Sequence, residues 1–360
     1  MKIRDRRHSL RFDIKQWSGQ TELISRSLLQ WYRTQARDLP WRSSQDPYRV
    51  WVSEIMLQQT QVERVKEYFR NFLDRFPTVF DLAKAEETIV LKYWEGLGYY
   101  RRARQLHVAA KKIVAEYEGE FPQDVRALQR LPGIGRYTAG AIASIAFDLP
   151  EPILEANSRR VLARLIHYDI PLSGGKSEQP LWDVAAALVP RDGGAGAFNQ
   201  ALMDFGSLVC RPVSPFCEEC SLVDHCQAHQ LGSVDQIPNV PKRKLTQKLD
   251  EKAYVLVHEG KLLVVRRQPG EWWEGLWDFP RDFPRIIPEH MAVRGSQHRL
   301  GSICYSVTNH KITCRVFSKM MSQRPAVRRH QRWLLPREIQ KLPMTSPGRR
   351  ISHLAEKTLF

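Results

Sequence analysis

Long apolar runs are absent from this 360-residue chain. No stretch of about 18 apolar residues occurs, so the sequence predicts no membrane-spanning helix. The N-terminal residues MKIRDRRHSLRF are basic and lack the apolar core of a secretory signal peptide. We therefore expect the protein to remain in a reducing, cytoplasmic compartment. Internal repeats are also absent.

Acidic residues are few in the last third of the chain. Residues 241–360 hold 24 Lys and Arg against 10 Asp and Glu, which is +14 of the total net charge of +16. The first 240 residues are almost balanced, with 31 basic and 29 acidic side chains. A solvated basic surface is one interpretation. The concentration of charge favours a polyanionic partner, of which nucleic acid is the usual one.

Apolar periodicity predicts a two-domain protein. We expect a basic tail at 1–19, an all-α domain at 20–227, a polar proline-containing linker at 228–250, and an α/β or mostly β domain at 251–360. One long helix is predicted over 48–73, started by Asp46 as a cap and Pro47 in the first turn. In the second domain, a strand pair is predicted around Glu259-Gly260 and another over SICYSVTNHKITCRVF.

Four of the six cysteines fall within seventeen residues and form a C-x6-C-x2-C-x5-C pattern. These are Cys210, Cys217, Cys220 and Cys226. A reducing compartment disfavours two disulfides, so the spacing favours a metal. Zinc and a [4Fe–4S] cluster both take four thiolates, and the spacing favours the cluster only weakly. Cys304 and Cys314 are predicted to be buried small apolar residues.

Two glycines, Gly133 and Gly135 of LPGIGRYTAG, separate two predicted helices. Glycines at such a turn let backbone N–H groups approach an anion closely, and the next helix directs its positive dipole end to the same place. The pattern predicts a sequence-independent contact to a nucleic-acid phosphate. A plain helix-to-helix turn is the alternative.

Glu54 interrupts an apolar helical face. On one continuous helix Trp51, Ile55, Val62, Val65 and Phe69 would share a stripe, and Glu54 would lie about 65° from its centre. Partial burial at this boundary would raise the pKa of the carboxyl group. A surface glutamate beside the stripe is the alternative, and most glutamates are of that kind.

Together, these motifs resemble the helix-hairpin-helix DNA glycosylases with an endonuclease III-type iron–sulfur loop. With DLPWR, SEIMLQQTQV and WEGLGYYRRARQLH, the resemblance narrows to adenine DNA glycosylases of the MutY type. It implies that the chain removes adenine mispaired with 8-oxoguanine or guanine in double-stranded DNA. It also implies a [4Fe–4S] cluster on the four cysteines. We expect a monomer, associated with the nucleoid if the source is bacterial.

The resemblance assigns the chemistry to four residues. Glu54 matches the catalytic acid, which would protonate adenine N7 and then activate water. A D-G-N pattern is expected for the second carboxylate, but this chain has Glu155-Ala156-Asn157. Either the longer Glu155 is repositioned and activity is retained, which we favour, or catalysis is attenuated. Tyr137 stands where bifunctional relatives carry a Schiff-base lysine, so a monofunctional enzyme is predicted.

Base flipping requires a pocket and a means of holding the duplex open. By resemblance, Arg37, Trp41, Arg42 and Gln200 surround the adenine. Gln59 and Tyr99 would fill the opened duplex, and Gln58 and Thr60 would contact DNA with them.

The C-terminal domain resembles a Nudix-like domain that inspects 8-oxoguanine. It lacks the metal-binding box of a Nudix hydrolase, so pyrophosphatase activity is not expected. Asn309 and His310 match its lesion-reading loop, whereas Thr308 removes an aromatic residue. Two rival functions stay open: an endonuclease III-like glycosylase and lyase, and a lesion-binding protein with impaired catalysis.

Overall fold

The computed structural model describes residues 19–241, 245–282 and 297–360. The chain divides into two compact units: unit 1 is Met1–Phe69 with Lys112–Lys242, and unit 2 is Arg70–Lys111 with Arg243–Phe360. This division differs from the predicted one, because residues 70–111 group with the C-terminal part. The predicted tail at 1–19 lies outside the described residues except for Gly19. In the described ranges, no helix is both long and apolar enough to cross a membrane.

Residues 19–241 form twelve α-helices. They are α1 Thr21–Gln35, α2 Pro47–Leu57, α3 Val62–Arg75, α4 Val79–Lys84, α5 Glu87–Tyr93, α6 Arg101–Tyr117, α7 Val125–Gln129, α8 Arg136–Phe147, α9 Ala156–Leu165, α10 Gln179–Leu188, α11 Ala195–Leu208 and α12 Gln227–Gln230. A large apolar core in unit 1 joins α1, α9, α10 and α11 around side chains such as Leu28, Leu162 and Phe198. The predicted all-α class of this region is confirmed.

Helix α2 lies in the interior of unit 1. The Asp46 carboxylate accepts a hydrogen bond from Tyr48 N–H at 2.9 Å, and Pro47 occupies the first turn, as predicted. All but one of the residues from Tyr48 to Met56 are buried. A helix buried on nearly all sides presents no amphipathic stripe, so a polar residue in it is enclosed.

The prediction of one helix over 48–73 was wrong. Helix α2 ends at Leu57, and α3 begins only at Val62. Gln59 has φ +57°, a left-handed conformation that cannot continue a right-handed helix. The proposed stripe from Trp51 to Phe69 therefore belongs to two helices, and the polar run lies in the turn between them.

The predicted linker at 228–250 was also wrong over most of its length. Ala228 and Ile237 are buried in the core of unit 1, and Leu172 N–H donates to the Asn239 carbonyl at 2.9 Å. The first strand already begins at Gln247. Three apolar residues of this segment, Ala228, Val234 and Ile237, pack in or against that core, which composition alone does not reveal.

Unit 2 contains a mixed six-stranded sheet. Its strands are β1 Gln247–His258, β2 Lys261–Arg266, β3 Trp277–Asp278, β4 His298–Val307, β5 His310–Met320 and β6 Gln331–Leu334, followed by α13 Pro336–Ile339 and α14 Ser346–Leu359. The order is β3-β2-β1-β5-β4, with β6 beside β2. Both predicted hairpins are present, and β1 runs parallel to β5. Cys314 is buried in this core as predicted, whereas Cys304 is exposed.

Candidate active site

A cavity in unit 1 opens between the 3-10 turn at Pro40–Arg42, helix α2 and helix α11. It is lined by Arg37, Leu39, Trp41, Arg42, Val50, Ser53, Glu54, Leu57, Val62, Ile145, Gln200 and Met203. The structure thus brings together Glu54 and all four residues predicted to surround a base. Trp41 is buried and meets the Phe69 ring edge-on at 5.6 Å, which fixes the indole as one wall.

Asp204 holds the two arginines of this cavity in place. Its side chain is fully buried and accepts hydrogen bonds from Arg37 Nε at 2.7 Å and from Arg42 Nη1 at 2.6 Å. Burial alone would raise the pKa of Asp204, but the two guanidinium groups together hold it below its ordinary value. The arginines are therefore preorganised by one carboxylate from α11.

Glu54 is a buried carboxyl group in the lining of the cavity. Its residue exposure is 4%, so burial is more complete than the boundary position predicted. Burial raises the pKa of Glu54 to about 7 against the lowering effect of the Tyr137 hydrogen bond, and the Glu155 charge adds to the rise. A carboxyl group with this pKa can both donate and accept a proton near neutral pH.

Tyr137, in the first turn of α8, donates its hydroxyl hydrogen to Glu54 Oε2. The same hydroxyl lies 3.4 Å from Met203 Sδ. Burial, followed by the negative charges of Glu54 and Glu155, raises the pKa of Tyr137 well above its ordinary value. The phenol therefore stays protonated and donates a hydrogen bond to Glu54.

Glu155 is the N-cap of α9. Its carboxylate accepts Asn157 N–H at 2.8 Å and Ser158 N–H at 2.7 Å, and Ser158 Oγ accepts Glu155 N–H in return. Burial raises the pKa of Glu155, although these two backbone hydrogen bonds oppose the rise. The longer side chain is therefore fixed by the helix end, within the range at which its charge affects Glu54 and Tyr137.

Asn157 faces the next turn of α9. Its Oδ1 accepts a hydrogen bond from Arg160 Nη2 at 2.9 Å, and Arg160 also donates to the Gly206 and Cys210 carbonyls at 2.6 and 2.7 Å. A Cβ at Gly206 would lie 2.7 Å from Asn157 Cβ. Close packing of α11 on α9 therefore sets the position of Asn157.

The predicted DNA-contacting residues of unit 1 lie in two turns. Gln59 is exposed in the α2–α3 turn, while Gln58 Nε2 lies 3.4 Å from Thr138 Oγ1 and Thr60 Oγ1 lies 3.4 Å from the Gln58 carbonyl. In the α7–α8 hairpin, Gly133 has φ +78°, and Gly135 caps α8 with open space at its Cβ position.

The remaining predicted contacts lie in unit 2. Tyr99 is 53% exposed, adopts φ +47°, and its ring lies 5.7 Å from the Arg102 guanidinium carbon. Asn309 and His310 stand at the β4–β5 hairpin, where Gln247 N–H donates to the Asn309 carbonyl at 2.8 Å. The structure does not place these residues in the cavity of Glu54.

The four clustered cysteines line a second cavity in unit 1, together with Arg164, whose Nη1 lies 3.3 Å from Cys210 Sγ. None of the four is in a disulfide. Across the described ranges, no three His, Cys, Asp or Glu side chains stand close enough to share one ion.

Two functional residues were missed from the sequence. Asp204 lies inside the segment AFNQALMDFG, from which only Gln200 was selected. Tyr32, on α1, donates to Gln200 Oε1 at 3.4 Å and packs against Arg42, 5.6 Å from ring centre to guanidinium carbon. An aspartate within an apolar helix was the available signal, since a buried carboxylate needs a cationic partner.

Comparison with known proteins agrees with this fold and site. The family of HhH-GPD superfamily base excision DNA repair proteins matches residues 52–185, and a NUDIX domain family matches residues 252–354. The structure of a thermostable thymine-DNA glycosylase aligns with a TM-score of 0.54 at 30% identity, covering 61% of this chain and all of that one. The chain is thus a helix-hairpin-helix protein of base excision repair.

Sequence relatives narrow the family further. An adenine DNA glycosylase of Buchnera aphidicola (subspecies Schizaphis graminum) is 37% identical over 72% of this chain and 74% of its own length. The adenine DNA glycosylase of Rattus norvegicus is 39% identical over 73% of this chain, which spans only 52% of that relative. The chain belongs to the adenine DNA glycosylase family.

Proposed function

We propose that this protein is a monofunctional DNA glycosylase that hydrolyses the N-glycosidic bond of adenine opposite 8-oxoguanine or guanine in double-stranded DNA. The observation that carries the proposal is the buried Glu54 carboxyl group, with a pKa of about 7, in a cavity walled by Trp41. The cavity offers an indole for stacking and Gln200 for hydrogen bonding, which an extrahelical base requires.

Protonated Glu54 would donate its proton to adenine N7 as the bond to the sugar breaks, which neutralises the leaving base. The resulting carboxylate then accepts a proton from the attacking water. Tyr137 stabilises that carboxylate through its hydrogen bond. Glu155 contributes a negative charge that favours the cationic sugar.

Tyr137 also limits the reaction to base removal. A Schiff-base lyase needs a neutral amine at the sugar carbon. None of the residues lining the cavity in the described part of the chain is a lysine. We therefore propose that strand cleavage is not a second activity, which weighs against the endonuclease III-like alternative.

The remaining polar groups are proposed to bind the duplex. Backbone N–H groups around Gly133 and Gly135 contact a phosphate, and Gln59, with Gln58 and Thr60 beside it, enters the opened duplex together with Tyr99. Asn309 and His310 read the lesion, and the basic C-terminal third attracts the backbone. We propose that the protein works as a monomer where the DNA is, in the cytoplasm or nucleoid.

Cys210, Cys217, Cys220 and Cys226 are proposed to hold a [4Fe–4S] cluster. Four cysteine side chains that line one cavity suit a cluster that takes four thiolate ligands. The cluster, when bound, would supply a covalent link between the ends of this loop. Iron and acid-labile sulfide content of the purified protein, with the visible absorption band, tests this assignment.

The decisive experiment is single-turnover release of adenine from a duplex with 8-oxoguanine opposite adenine. The Glu54→Gln variant should lose at least about 100-fold in rate, because an amide cannot donate the proton. Glu63→Gln is the matched control, since Glu63 is an exposed carboxylate at the start of α3. Release at the parental rate by Glu54→Gln would contradict the proposal.

One observation favours the second candidate, a lesion-binding protein with little catalysis. Both Glu155 oxygens already accept backbone hydrogen bonds, so the carboxylate is less available to the sugar. Tight binding of the mispaired duplex without adenine release would support that function.

A further inference from the structure

Another cavity lies within unit 2, and aromatic and charged side chains line it. Three segments form it: the start of α6 with the residues before it, the turn between β2 and β3, and the end of β4. Its lining consists of Gly98, Tyr99, Tyr100, Arg101, Arg104, Glu271, Trp272, Trp273, Glu274, Ser306, Val307 and Thr308. We call it the aromatic cavity. Aromatic faces suit stacking on a nucleobase, whereas the two arginines of the lining are balanced by two glutamates.

Trp272 connects this cavity to the β4–β5 hairpin. Its ring centre lies 5.3 Å from that of His310, with the planes inclined by 48°. Thr308 Oγ1 lies 3.3 Å from His310 Nδ1. The imidazole thus contacts both an indole and a hydroxyl at the hairpin.

The turn that carries Trp272 is conformationally strained. Trp273 has φ +59°, in the left-handed region that bulky side chains avoid. Its ring contacts Tyr305 of β4 at 5.7 Å between ring centres, and Leu276 N–H donates to its carbonyl at 3.0 Å. Strain of this kind persists where the surroundings demand one geometry, as they do at binding sites. Trp272 and Trp273 both line the aromatic cavity.

We propose that Trp272 is a positioning residue for recognition of an oxidised purine, acting through its ring contact with the His310 imidazole. The inference rests on the proposed function, because it assigns lesion reading to the hairpin of His310. Trp272 does not touch the adenine cavity of unit 1. Trp272 therefore affects the discrimination between 8-oxoguanine and guanine opposite the adenine, and it leaves the chemistry of Glu54 unchanged.

The test compares adenine release opposite 8-oxoguanine with release opposite guanine, under single-turnover conditions. Trp272→Leu should lower the preference for 8-oxoguanine about three- to tenfold, the range expected for loss of one aromatic contact. The rate opposite guanine should change by less than about twofold. Trp272→Phe should restore most of the preference, because it retains a ring against His310.

A second readout does not depend on activity. The His310 ring protons should shift in the NMR spectrum of Trp272→Leu, since the indole ring current is lost. Trp333→Phe is the matched control, because Trp333 is a buried tryptophan in a separate small core of the same unit. It should leave both the preference and the His310 signals unchanged.

The outcomes separate this inference from the proposed function. A parent protein that releases no adenine from either duplex overturns the proposed function, and the ratio of equilibrium affinities for the two duplexes then tests Trp272. A Trp272→Leu variant with parental preference, or with equal losses on both duplexes, overturns the role of Trp272 alone. A parent that releases adenine from both duplexes without preference in rate or affinity overturns the role of Trp272 and leaves the proposed function standing.

Discussion

The Glu54 side chain gains its reactivity from enclosure. At the surface its carboxyl group would be ionised at neutral pH, but burial moves its pKa to about 7 while the phenol of Tyr137 supports the ionised form. The two influences oppose each other, and their balance leaves both protonation states accessible. This is the property that a group needs to act first as an acid and then as a base.

The rate of adenine release should follow the protonated fraction of Glu54. We expect a plateau below pH about 7 and a fall of about tenfold per pH unit above it. In Tyr137→Phe the break should move to higher pH, because the removed hydrogen bond lowers the pKa of Glu54. Single-turnover rates across the pH range measure both values. A break that stays in place in Tyr137→Phe would show that another group titrates.

Glu155 combines a structural and a chemical role, and two substitutions separate them. Asp is a good helix N-cap, so Glu155→Asp should keep the free energy of unfolding within about 1 kcal/mol and release adenine within about tenfold of the parental rate. Glu155→Gln removes the negative charge and should lower the rate about 100-fold. Equal rates in the two variants would mean that Glu155 serves only as a cap.

At the scale of helices, the site depends on how closely α11 approaches α9. Gly206 has no room for a Cβ, which would lie 2.8 Å from the Asn157 carbonyl oxygen. Arg160 bridges the same interface by donating to the Gly206 carbonyl at 2.6 Å. The packing of these two helices therefore fixes the position of Asp204, on α11, relative to Glu155 and Asn157, at the start of α9.

Gly206→Ala should lower the free energy of unfolding by about 1–3 kcal/mol, the usual cost of overpacking. Gly135→Ala is the control for the added methyl group, since nothing lies within 4 Å of its Cβ position. That control should change stability by less than about 1 kcal/mol. Urea unfolding of the two variants measures the difference, and equal midpoints would contradict the close packing.

Much of the fold was predictable from short sequence signals. The start of α2 at Asp46-Pro47 and the turn at Glu259-Gly260 were predicted correctly, because each depends on only a few neighbouring residues. The α2–α3 break and the packing of Ile237 were not predicted, since they depend on contacts far along the chain. Asp204 was missed for the same reason: its partner Arg37 is 167 positions away.

At the scale of the whole chain, charge is separated along the sequence, with +14 of the +16 net charge in residues 241–360. Phosphate contacts release counterions and carry no base information. We expect the affinity for duplex DNA to fall linearly with salt on logarithmic axes. The slopes for lesion-containing and undamaged duplexes should agree within about one unit. Fluorescence anisotropy titrations at several salt concentrations measure this, and a preference that disappears with rising salt would contradict it.

The position of Asp204 in the sequence also determines when, during synthesis, the cavity that contains Glu54 can form. During synthesis, Arg37, Trp41 and Arg42 leave the ribosome long before α11, so the arginines have no counterion until Asp204 is translated. Cys210 follows only six positions later, and Cys226 completes its set within the next sixteen. The growing chain therefore completes the cavity and the cysteine loop almost together, and a nascent fragment that ends before α11 lacks the carboxylate that positions both arginines.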